Sequence, residues 1–258
     1  MKKGILVCAR TGSTRLPNKM IMEINGRTTI EHLIDRLKQS RYCDEIVFCT
    51  TQLEEDDVLA NIAEHAQVSC YRGSNEDKLD RWYKAALQFD IDYFVNVDGD
   101  DLFCEPELID LAFSQHNNTN HDFVKCDESK LVAGIFTFGI KTDILGTIWK
   151  AKTTTDTEGS WLSFHKLEFL RAELLQNIPE IYYRPEIRAT LDYEEDFLFF
   201  KTVIDYFDKV QLTHYSLRDI ILFLDKNLSV ISINSFRHND FLENQKKSKR
   251  LTWNEKLV

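Results

Sequence analysis

The sequence predicts an α/β protein with three layers, in which a mainly parallel β-sheet carries helices on both faces. Short apolar runs alternate with segments of helical periodicity over roughly the first 130 residues. The first run is continuously apolar rather than alternating, as in strands that are buried on both faces. Repeated β–α units of this length are typical of a parallel sheet flanked by helices.

The first half of the chain contains the clearest strand–helix units. The strand-like runs are Gly4–Ala9, Glu45–Thr51, Val68–Arg72 and Tyr93–Val97. Apolar residues at helical spacing follow them from Thr29 onward, over Asp56–His65, over Leu79–Phe89 and over Pro106–Phe113. Each unit therefore returns the chain to the same end of the predicted sheet.

The regular alternation of strand-like and helix-like segments ends after a short predicted strand at Phe123–Lys125. The expected elements are a strand over Val132–Ile140, a helix over Thr142–Lys150, a polar loop over Thr153–Ser160, an apolar-periodic segment from Trp161 to Leu175, a strand over Arg188–Asp192, and helices over Glu194–Phe207 and Leu217–Leu224. We predict a single domain over residues 1–258, in which residues 130–186 face a substrate or mediate oligomerisation.

Composition narrows the classes of partner. The chain has 258 residues and a formal net charge of −10, which argues against nucleic acid as the main partner. The amino-terminal apolar run ends at Arg10, and no segment reaches the roughly 18 apolar residues of a membrane span. We expect a cytoplasmic protein without membrane insertion, whose six cysteines are reduced core residues.

The strongest candidate site follows the first predicted strand. The stretch ARTGSTRLPNK, residues 9–19, combines a glycine with two arginines, a lysine and three hydroxyl side chains. Ligands of open parallel sheets bind beyond the carboxyl ends of the strands, and backbone N–H groups with cations suit a triphosphate there. The stretch matches neither the P-loop nor the dinucleotide-binding pattern. The alternative is a basic surface loop without a ligand.

A cluster of carboxylates follows the strand Tyr93–Val97. Asp98, Asp100 and Asp101 lie within four residues, and such a cluster is readily explained by a divalent cation. Mg²⁺ prefers one or two carboxylates together with phosphate oxygens and water. An Asp- and Gly-rich structural turn is the alternative. Asp192 precedes a helix, so it is either an N-cap or a second carboxylate of the same site.

A third candidate segment is Tyr71–Arg81, where a strand ends in Arg-Gly-Ser and leads into a helix. Ser74 and Asp77 are spaced as in a capping box, which accounts for both without a ligand. Arg72 and Arg81 are left as candidates for contact with a base or a phosphate.

These motifs together resemble the CMP-KDO synthetase and acylneuraminate cytidylyltransferase superfamily, and most of all its SpsF branch. The resemblance rests on ARTGSTRLPNK, TTQLEEDDVLA, YRGSNEDKLDRWYKA, VDGDDLFCEPELID and RATLDYEEDF, in this order. It covers residues 3–115 and 186–207. It implies a GT-A-like nucleotidyltransferase fold and Mg²⁺-dependent transfer of CMP from CTP to a sugar acid or a phosphorylated sugar or polyol. Pyrophosphate would be released, and the product would serve surface polysaccharide or glycoconjugate synthesis.

The resemblance also implies roles for individual residues. Nucleotide-binding roles fall on Ala9, Arg10, Gly12, Ser13, Arg15, Lys19, Arg72, Ser74 and Asp98. Arg15 and Lys19 would in addition be catalytic, because they neutralise charge that develops on the phosphates. Asp100 and Asp192 would bind Mg²⁺. The chain departs from the superfamily at Asp98, where KDO-type relatives have glutamine, and at Leu102, where proline is common.

The acceptor side is less well defined by the sequence. Arg184, which precedes the strand of Asp192, is the candidate for an anionic group of the acceptor, and a homodimer is compatible with the pattern. A glycosyltransferase of the same fold is an alternative, since Asp98-Gly99-Asp100 fits an Asp-x-Asp motif. An inactive nucleotide-binding homologue is the other alternative, suggested by Leu102.

Overall fold

The computed structural model describes residues 1–247 and 251–254. Within them, a central sheet contains the strands β1 (Lys3–Cys8), β4 (Glu45–Thr51), β5 (Ser69–Gly73), β6 (Tyr93–Asp98), β7 (Phe123–Lys125), β8 (Phe138–Lys141) and β9 (Ala172–Leu174), and the strands β2 (Glu23–Ile24) and β3 (Arg27–Thr28) form a separate hairpin. The helices are α1 (Thr29–Leu37), α2 (Asp57–His65), α3 (Lys78–Gln88), α4 (Pro106–Thr119), α5 (Thr142–Ala151), α6 (Glu194–Lys209), α7 (Leu217–Lys226), α8 (Leu228–Ile231) and α9 (Arg237–Lys247).

The central sheet is mainly parallel, as predicted. Its strand order is β5-β4-β1-β6-β8-β7-β9. The neighbours among β5, β4, β1 and β6 are parallel, and so are β7 and β9. The strand β8 is antiparallel to both of its neighbours. The sheet is therefore a parallel core extended by an antiparallel strand.

Helices cover both faces of this sheet, which confirms the three-layer prediction. Side chains of α1, α4, α6 and α7 pack with one face in a large apolar cluster. Side chains of α3 and α5 pack with the other face, where Trp82 and Phe138 make an edge-to-face contact at 5.3 Å between ring centroids. Burying apolar area on both faces is what a fully apolar central strand requires.

Two predicted strands differ from the structure. Residues 132–137 of the expected strand Val132–Ile140 are irregular, and only β8 pairs in the sheet. Gly134 has φ +84° and lies so close to Ala189 that a Cβ atom would meet its carbonyl oxygen at 2.3 Å. The expected strand Arg188–Asp192 is reduced to a single bridge between Ala133 and Arg188. Both segments instead run beside each other, and the Leu191 amide bonds to the Asp100 carbonyl beyond the carboxyl end of β6.

The apolar-periodic segment from Trp161 to Leu175 contains two short elements. A 3₁₀ helix covers Ser160–Lys166, and β9 follows at the edge of the sheet. Across the described part of the chain, none of the helices has the length and apolar character needed to cross a membrane. The roles expected for residues 130–186 stay a prediction.

Candidate active site

Two sequence motifs meet at the carboxyl ends of β1 and β6. The strands are parallel neighbours with Cys8 opposite Asp98, so the chain leaves both at the same edge of the sheet. The Gly99 amide donates to the Cys8 carbonyl at 2.8 Å. A Cβ atom on Gly99 would lie 2.7 Å from the Cβ of Ala9, so the close approach requires glycine. The loop 9–19 and the segment 98–101 therefore face each other.

The loop 9–19 is held by a buried carboxylate that precedes α2. Asp56 Oδ1 accepts hydrogen bonds from the Thr11 amide at 2.7 Å and from the Thr11 hydroxyl at 2.8 Å. Thr51 donates to the other oxygen. Burial opposes ionisation, but the hydrogen bonds from Thr51 and Thr11 hold the pKa of Asp56 below its ordinary value. The sequence showed Asp56 only as the start of a helix, and its role in fixing the loop was missed.

Lys19, at the end of this loop, joins two carboxylates that are distant in sequence. Its Nζ lies 2.6 Å from Asp100 Oδ2 and 3.0 Å from Asp192 Oδ1, and it donates to the Leu191 carbonyl at 2.7 Å. Lys19 is only 5 % exposed. Burial lowers the pKa of Lys19, but Asp100 and Asp192 outweigh it and raise that pKa. The lysine is therefore a buried cation at neutral pH.

Asp192 is surrounded by cations on both of its oxygens. Arg15 Nη2 contacts its Oδ1 at 2.6 Å, and Arg188 Nη2 contacts its Oδ2 at 2.9 Å. Burial raises the pKa of Asp192, yet Lys19, Arg15 and Arg188 together lower it. Arg188 is itself fixed by Asp196, which accepts from Nε at 2.9 Å. Asp192 is thus an ionised carboxylate in a prearranged network.

Asp100 lies opposite Asp192 and has fewer cationic partners. Burial comes first in raising the pKa of Asp100, Lys19 opposes it, and the carboxylates Asp192 and Asp98 raise it further. A divalent cation near this group would relieve the repulsion between these carboxylates. Asp100 and Asp192 offer hard oxygen donors that converge on one ammonium group within 3.0 Å. Among the described residues no group of three or more His, Cys, Asp or Glu side chains is arranged to hold a metal ion.

The opposite side of the loop carries a second buried cation. Lys78 opens α3, and its Nζ lies 2.7 Å from Asp98 Oδ1. Burial lowers the pKa of Lys78, but Asp98 and then Glu158 raise it above its ordinary value. The Nη1 of Arg10 donates to the backbone and side-chain oxygens of Asn75, both at 3.3 Å. Lys78 was missed by the sequence reasoning, although its place at the first turn of a helix beyond a parallel strand is a usable signal.

Two adjoining cavities open at this edge. The loop cleft has a volume of about 250 Å³ and is lined by Cys8, Ala9, Arg10, Gly12, Ser13, Thr14, Arg15, Lys19, Met20, Lys78, Arg81, Asp98, Gly99, Asp100 and Glu158. The wide cavity has a volume of about 880 Å³ and is lined by residues 131–137 together with Trp161, Leu162, Thr190, Asp192, His238 and Asn244 among others. Six residues line both cavities: Thr14, Arg15, Lys78, Asp98, Asp100 and Glu158.

The structure brings most of the predicted site residues together. Ala9, Arg10, Gly12, Ser13, Arg15, Lys19, Asp98 and Asp100 line the loop cleft, and Asp192 lines the wide cavity. Three other predicted site residues, Arg72, Ser74 and Arg184, line neither cavity. Arg72 bonds to the carbonyls of Thr51 and Leu53 at 2.9 and 2.8 Å.

The other two outlying residues have structural partners. The Ser74 hydroxyl accepts from the Asp77 amide at 3.1 Å, which is the helix-capping alternative. Arg184 pairs with Glu186 at 2.5 Å and with Asp225 at 2.6 Å. Neither side chain is directed to the site by these contacts, so the structure separates them from the cluster around Lys19.

A mainly parallel sheet with a cationic loop facing paired carboxylates defines the chain as a nucleotidyltransferase. The model of the cytidylyltransferase family matches residues 5–248, and the chain belongs to that family. This confirms the resemblance to the superfamily that includes the SpsF branch.

Three known proteins illustrate the similarity. The chain is 32 % identical over 231 residues to the protein MJ1063 of Methanocaldococcus jannaschii, covering 89 % of this chain and 93 % of that one. It is 26 % identical over 204 residues to the spore coat polysaccharide biosynthesis protein SpsF of Bacillus subtilis, covering 74 % and 82 %. The structure of a cytidylyltransferase from Leptospira borgpetersenii superposes with a TM-score of 0.80 at 27 % identity, covering 90 % and 97 %.

Proposed function

We propose that this enzyme transfers CMP from CTP to a sugar acid or a phosphorylated sugar or polyol, with release of pyrophosphate. The product would be a precursor of a surface polysaccharide or glycoconjugate, made in the cytoplasm. The cluster of Lys19, Asp100 and Asp192 beneath the loop 9–19 carries the proposal, because it joins cations for phosphates to carboxylates for a metal. The likeness to SpsF, whose name refers to polysaccharide biosynthesis, supports the kind of pathway.

The loop cleft supplies the groups that bind a triphosphate. Arg10, Ser13 and Arg15 line it together with Lys19. Arg15 is half-exposed and already oriented by Asp192, so it can reach phosphate oxygens without leaving the cluster. Fixed cations stabilise charge as it develops on the departing pyrophosphate, because they require little reorganisation during the reaction.

Asp100 and Asp192 would hold a divalent cation, which we propose to be Mg²⁺. When bound, the ion would supply charge neutralisation at the phosphates. Lys19 keeps the two carboxylates at a fixed separation, since one Nζ contacts both. Arg188 keeps Asp192 oriented from the opposite side. These contacts support a position for the reacting phosphate at the border between the loop cleft and the wide cavity.

The wide cavity is the proposed acceptor site. Its volume of about 880 Å³ is in the range of small-ligand pockets. It adjoins the loop cleft through Arg15 and Asp100, so an acceptor oxygen can approach the nucleotide from this side. Thr137 lines this cavity, and its buried hydroxyl has no hydrogen-bond partner among the described residues. A rotation of this side chain would turn the hydroxyl towards the cavity, where it could bond to an acceptor hydroxyl. Trp161 offers an aromatic wall for a sugar ring.

A pyrophosphate-release screen tests the proposal. The four nucleoside triphosphates are combined with sugar acids and sugar phosphates in the presence of Mg²⁺. We expect release with CTP and one acceptor class, and a loss of about 10²-fold or more in Asp100→Asn. Asp205→Asn is the matched control, because Asp205 forms an exposed pair with Lys201 on α6. Full turnover in Asp100→Asn would contradict the metal assignment, and preference for another nucleotide would contradict the choice of CTP.

A further inference from the structure

We infer that Glu158 is a resident anion of the loop cleft, which competes with the triphosphate for Arg10 and Lys78. The inference rests on the proposed function, since it takes the incoming anion to be that of CTP. Glu158 lies in the polar loop before the 3₁₀ helix Ser160–Lys166, outside the segments that carry the family resemblance. It lines both the loop cleft and the wide cavity.

The carboxylate of Glu158 lies between cations from two sides of the cleft. Its Oε2 is 3.7 Å from Arg10 Nη2, and its Oε1 is 3.7 Å from Lys78 Nζ. Arg10 belongs to the loop after β1, whereas Lys78 is the first residue of α3. A phosphate group has several acceptor oxygens and can contact two cations in the same way. Glu158 therefore occupies the position of an anionic ligand.

The contacts of this carboxylate are weak enough to be displaced. Both distances exceed hydrogen-bonding range, and the Glu158 side chain is 51 % exposed. Ion pairs exposed to water are screened and contribute little to stability. Within the described part of the chain, the hydrogen bonds of the Arg10 guanidinium are long ones to Asn75, at 3.3 Å. A polyanion with three phosphates can therefore replace a single carboxylate at these two cations.

The backbone that carries Glu158 is fixed, in contrast to its carboxylate. The buried Thr157 hydroxyl donates to Asp77 at 2.9 Å and accepts from the Leu79 amide at 2.9 Å. Gly159 has φ +70°, a conformation that turns the chain sharply after Glu158. The side chain can thus swing away from the cations while its anchor stays at the start of α3. It returns when pyrophosphate leaves, so it lowers affinity for the substrate anion and for the product anion alike.

Equilibrium binding to Glu158→Gln tests the inference. Dissociation constants are measured by calorimetry for CTP, inorganic tripolyphosphate and cytidine on the full chain. We expect the variant to bind CTP and tripolyphosphate about three- to tenfold more tightly than the wild type, with cytidine unchanged. Glu168→Gln is the matched control, because Glu168 is an exposed glutamate of the same region and lines neither cavity. It should leave all three constants unchanged.

The outcomes separate this inference from the proposed function. Unchanged or weaker binding of tripolyphosphate by Glu158→Gln would overturn the inference, since Glu158 would then not compete with the ligand for the two cations. Equal tightening for cytidine would also overturn it, because the effect would not depend on phosphates. Tighter tripolyphosphate binding without any CTP turnover in the wild type would leave the inference standing and contradict the proposed function.

Discussion

The loop cleft and the wide cavity share a border but differ in the side chains that line them. The loop cleft is lined by charged side chains joined in ion pairs, with Lys19 and Lys78 at its two sides. The wide cavity has an apolar wall over residues 131–137. Prearranged charge suits a ligand of fixed chemistry such as a triphosphate, whereas a mostly apolar wall with a few polar groups selects by shape. Under the proposed function, the loop cleft would bind the triphosphate and the wide cavity would select the acceptor.

The largest effect on stability is expected in the buried ion pairs of Asp196, Arg188 and Asp192, which hold one side of the loop cleft. Asp196 is fully buried and binds Arg188, which in turn orients Asp192. Asp196→Ala leaves the arginine short of a partner and should lower the free energy of unfolding by about 3–5 kcal/mol. Urea denaturation measures this, with the exposed pair partner Asp205→Ala as the control, at less than about 1 kcal/mol. An equal decrease in the free energy of unfolding for both variants would show that the buried ion pair of Asp196 contributes no more to stability than an exposed one.

Lys19 tests the chemistry of the loop cleft. Lys19→Met removes the cation that joins Asp100 and Asp192, while Arg15 and Arg188 still neutralise Asp192. We expect kcat/KM for CTP to fall by about 10²–10³-fold, with the far-ultraviolet circular dichroism unchanged. Lys201→Met, on the exposed face of α6, is the control. A folded Lys19→Met variant with wild-type kcat/KM would remove the loop cleft from the catalytic account.

The stability of the protein is expected to fall in acid because of His121, which precedes β7. His121 is buried, bonds to the Tyr93 hydroxyl at 2.8 Å, and precedes β7. Burial, and then the neighbouring His116, lower the pKa of His121 from 6.5 to about 4. The unfolded chain then takes up a proton first, so stability present above pH 6.5 is lost as the pH falls from 6.5 towards 4.

The size of this pH effect is on the order of 2 kcal/mol. Urea midpoints at pH 7.5, 6 and 5 measure it, and His121→Gln should flatten the dependence. The same slope in the variant and the wild type would assign the acid sensitivity to other groups. If activity falls with stability over the same pH range, the protonation of His121 also disturbs residues 131–137, which line the wide cavity.

Thr137 tests the wide cavity at its border with β8. Thr137→Val keeps the shape and removes a buried hydroxyl that has no partner among the described residues. Stability should be unchanged or slightly higher, because no hydrogen bond within the fold is lost. The KM for the acceptor should rise by about five- to tenfold, equivalent to about 1 kcal/mol, with KM for CTP unchanged. An equal rise in the KM for the acceptor and the KM for CTP would contradict the proposal that the two ligands bind in separate cavities.

Arg184 should give the smallest effect. It was the sequence-based candidate for the acceptor, but its guanidinium pairs with Glu186 and Asp225 and it lines neither cavity. Arg184→Gln should change the KM for the acceptor by less than about twofold, because partly exposed ion pairs contribute little. A tenfold rise in that KM would restore the sequence-based prediction and move the acceptor site.

The parallel half of the fold and the loop cleft could be predicted because their signals are local. The apolar run of β1 and the loop 9–19 are contiguous, and the sheet brings Asp98–Asp101 beside them. Glu158 was missed because it stands in no motif with a chemical meaning of its own, and Lys78 was not singled out although it lies in one of the segments that carry the resemblance. Their positions depend on how α3 and the loop before the 3₁₀ helix pack together.

The irregular wall of the wide cavity could not be predicted for a different reason. Val132–Ile140 has strand-like composition, but Gly134 adopts φ +84° against the Ala189 carbonyl. Leu191 bonds through its amide to the Asp100 carbonyl, rather than to a strand. These bonds join residues that are far apart in sequence, so local periodicity carries no trace of them.

The fate of labelled CTP tests most directly whether the α-phosphorus of CTP is transferred to an acceptor. CTP carrying label on the α-phosphate, or on the γ-phosphate, is incubated with the enzyme, Mg²⁺ and the acceptor found in the screen. We expect the α label in the acceptor product and the γ label in pyrophosphate. Release of the γ label as inorganic phosphate, or of the α label as free CMP, would contradict the proposed transfer.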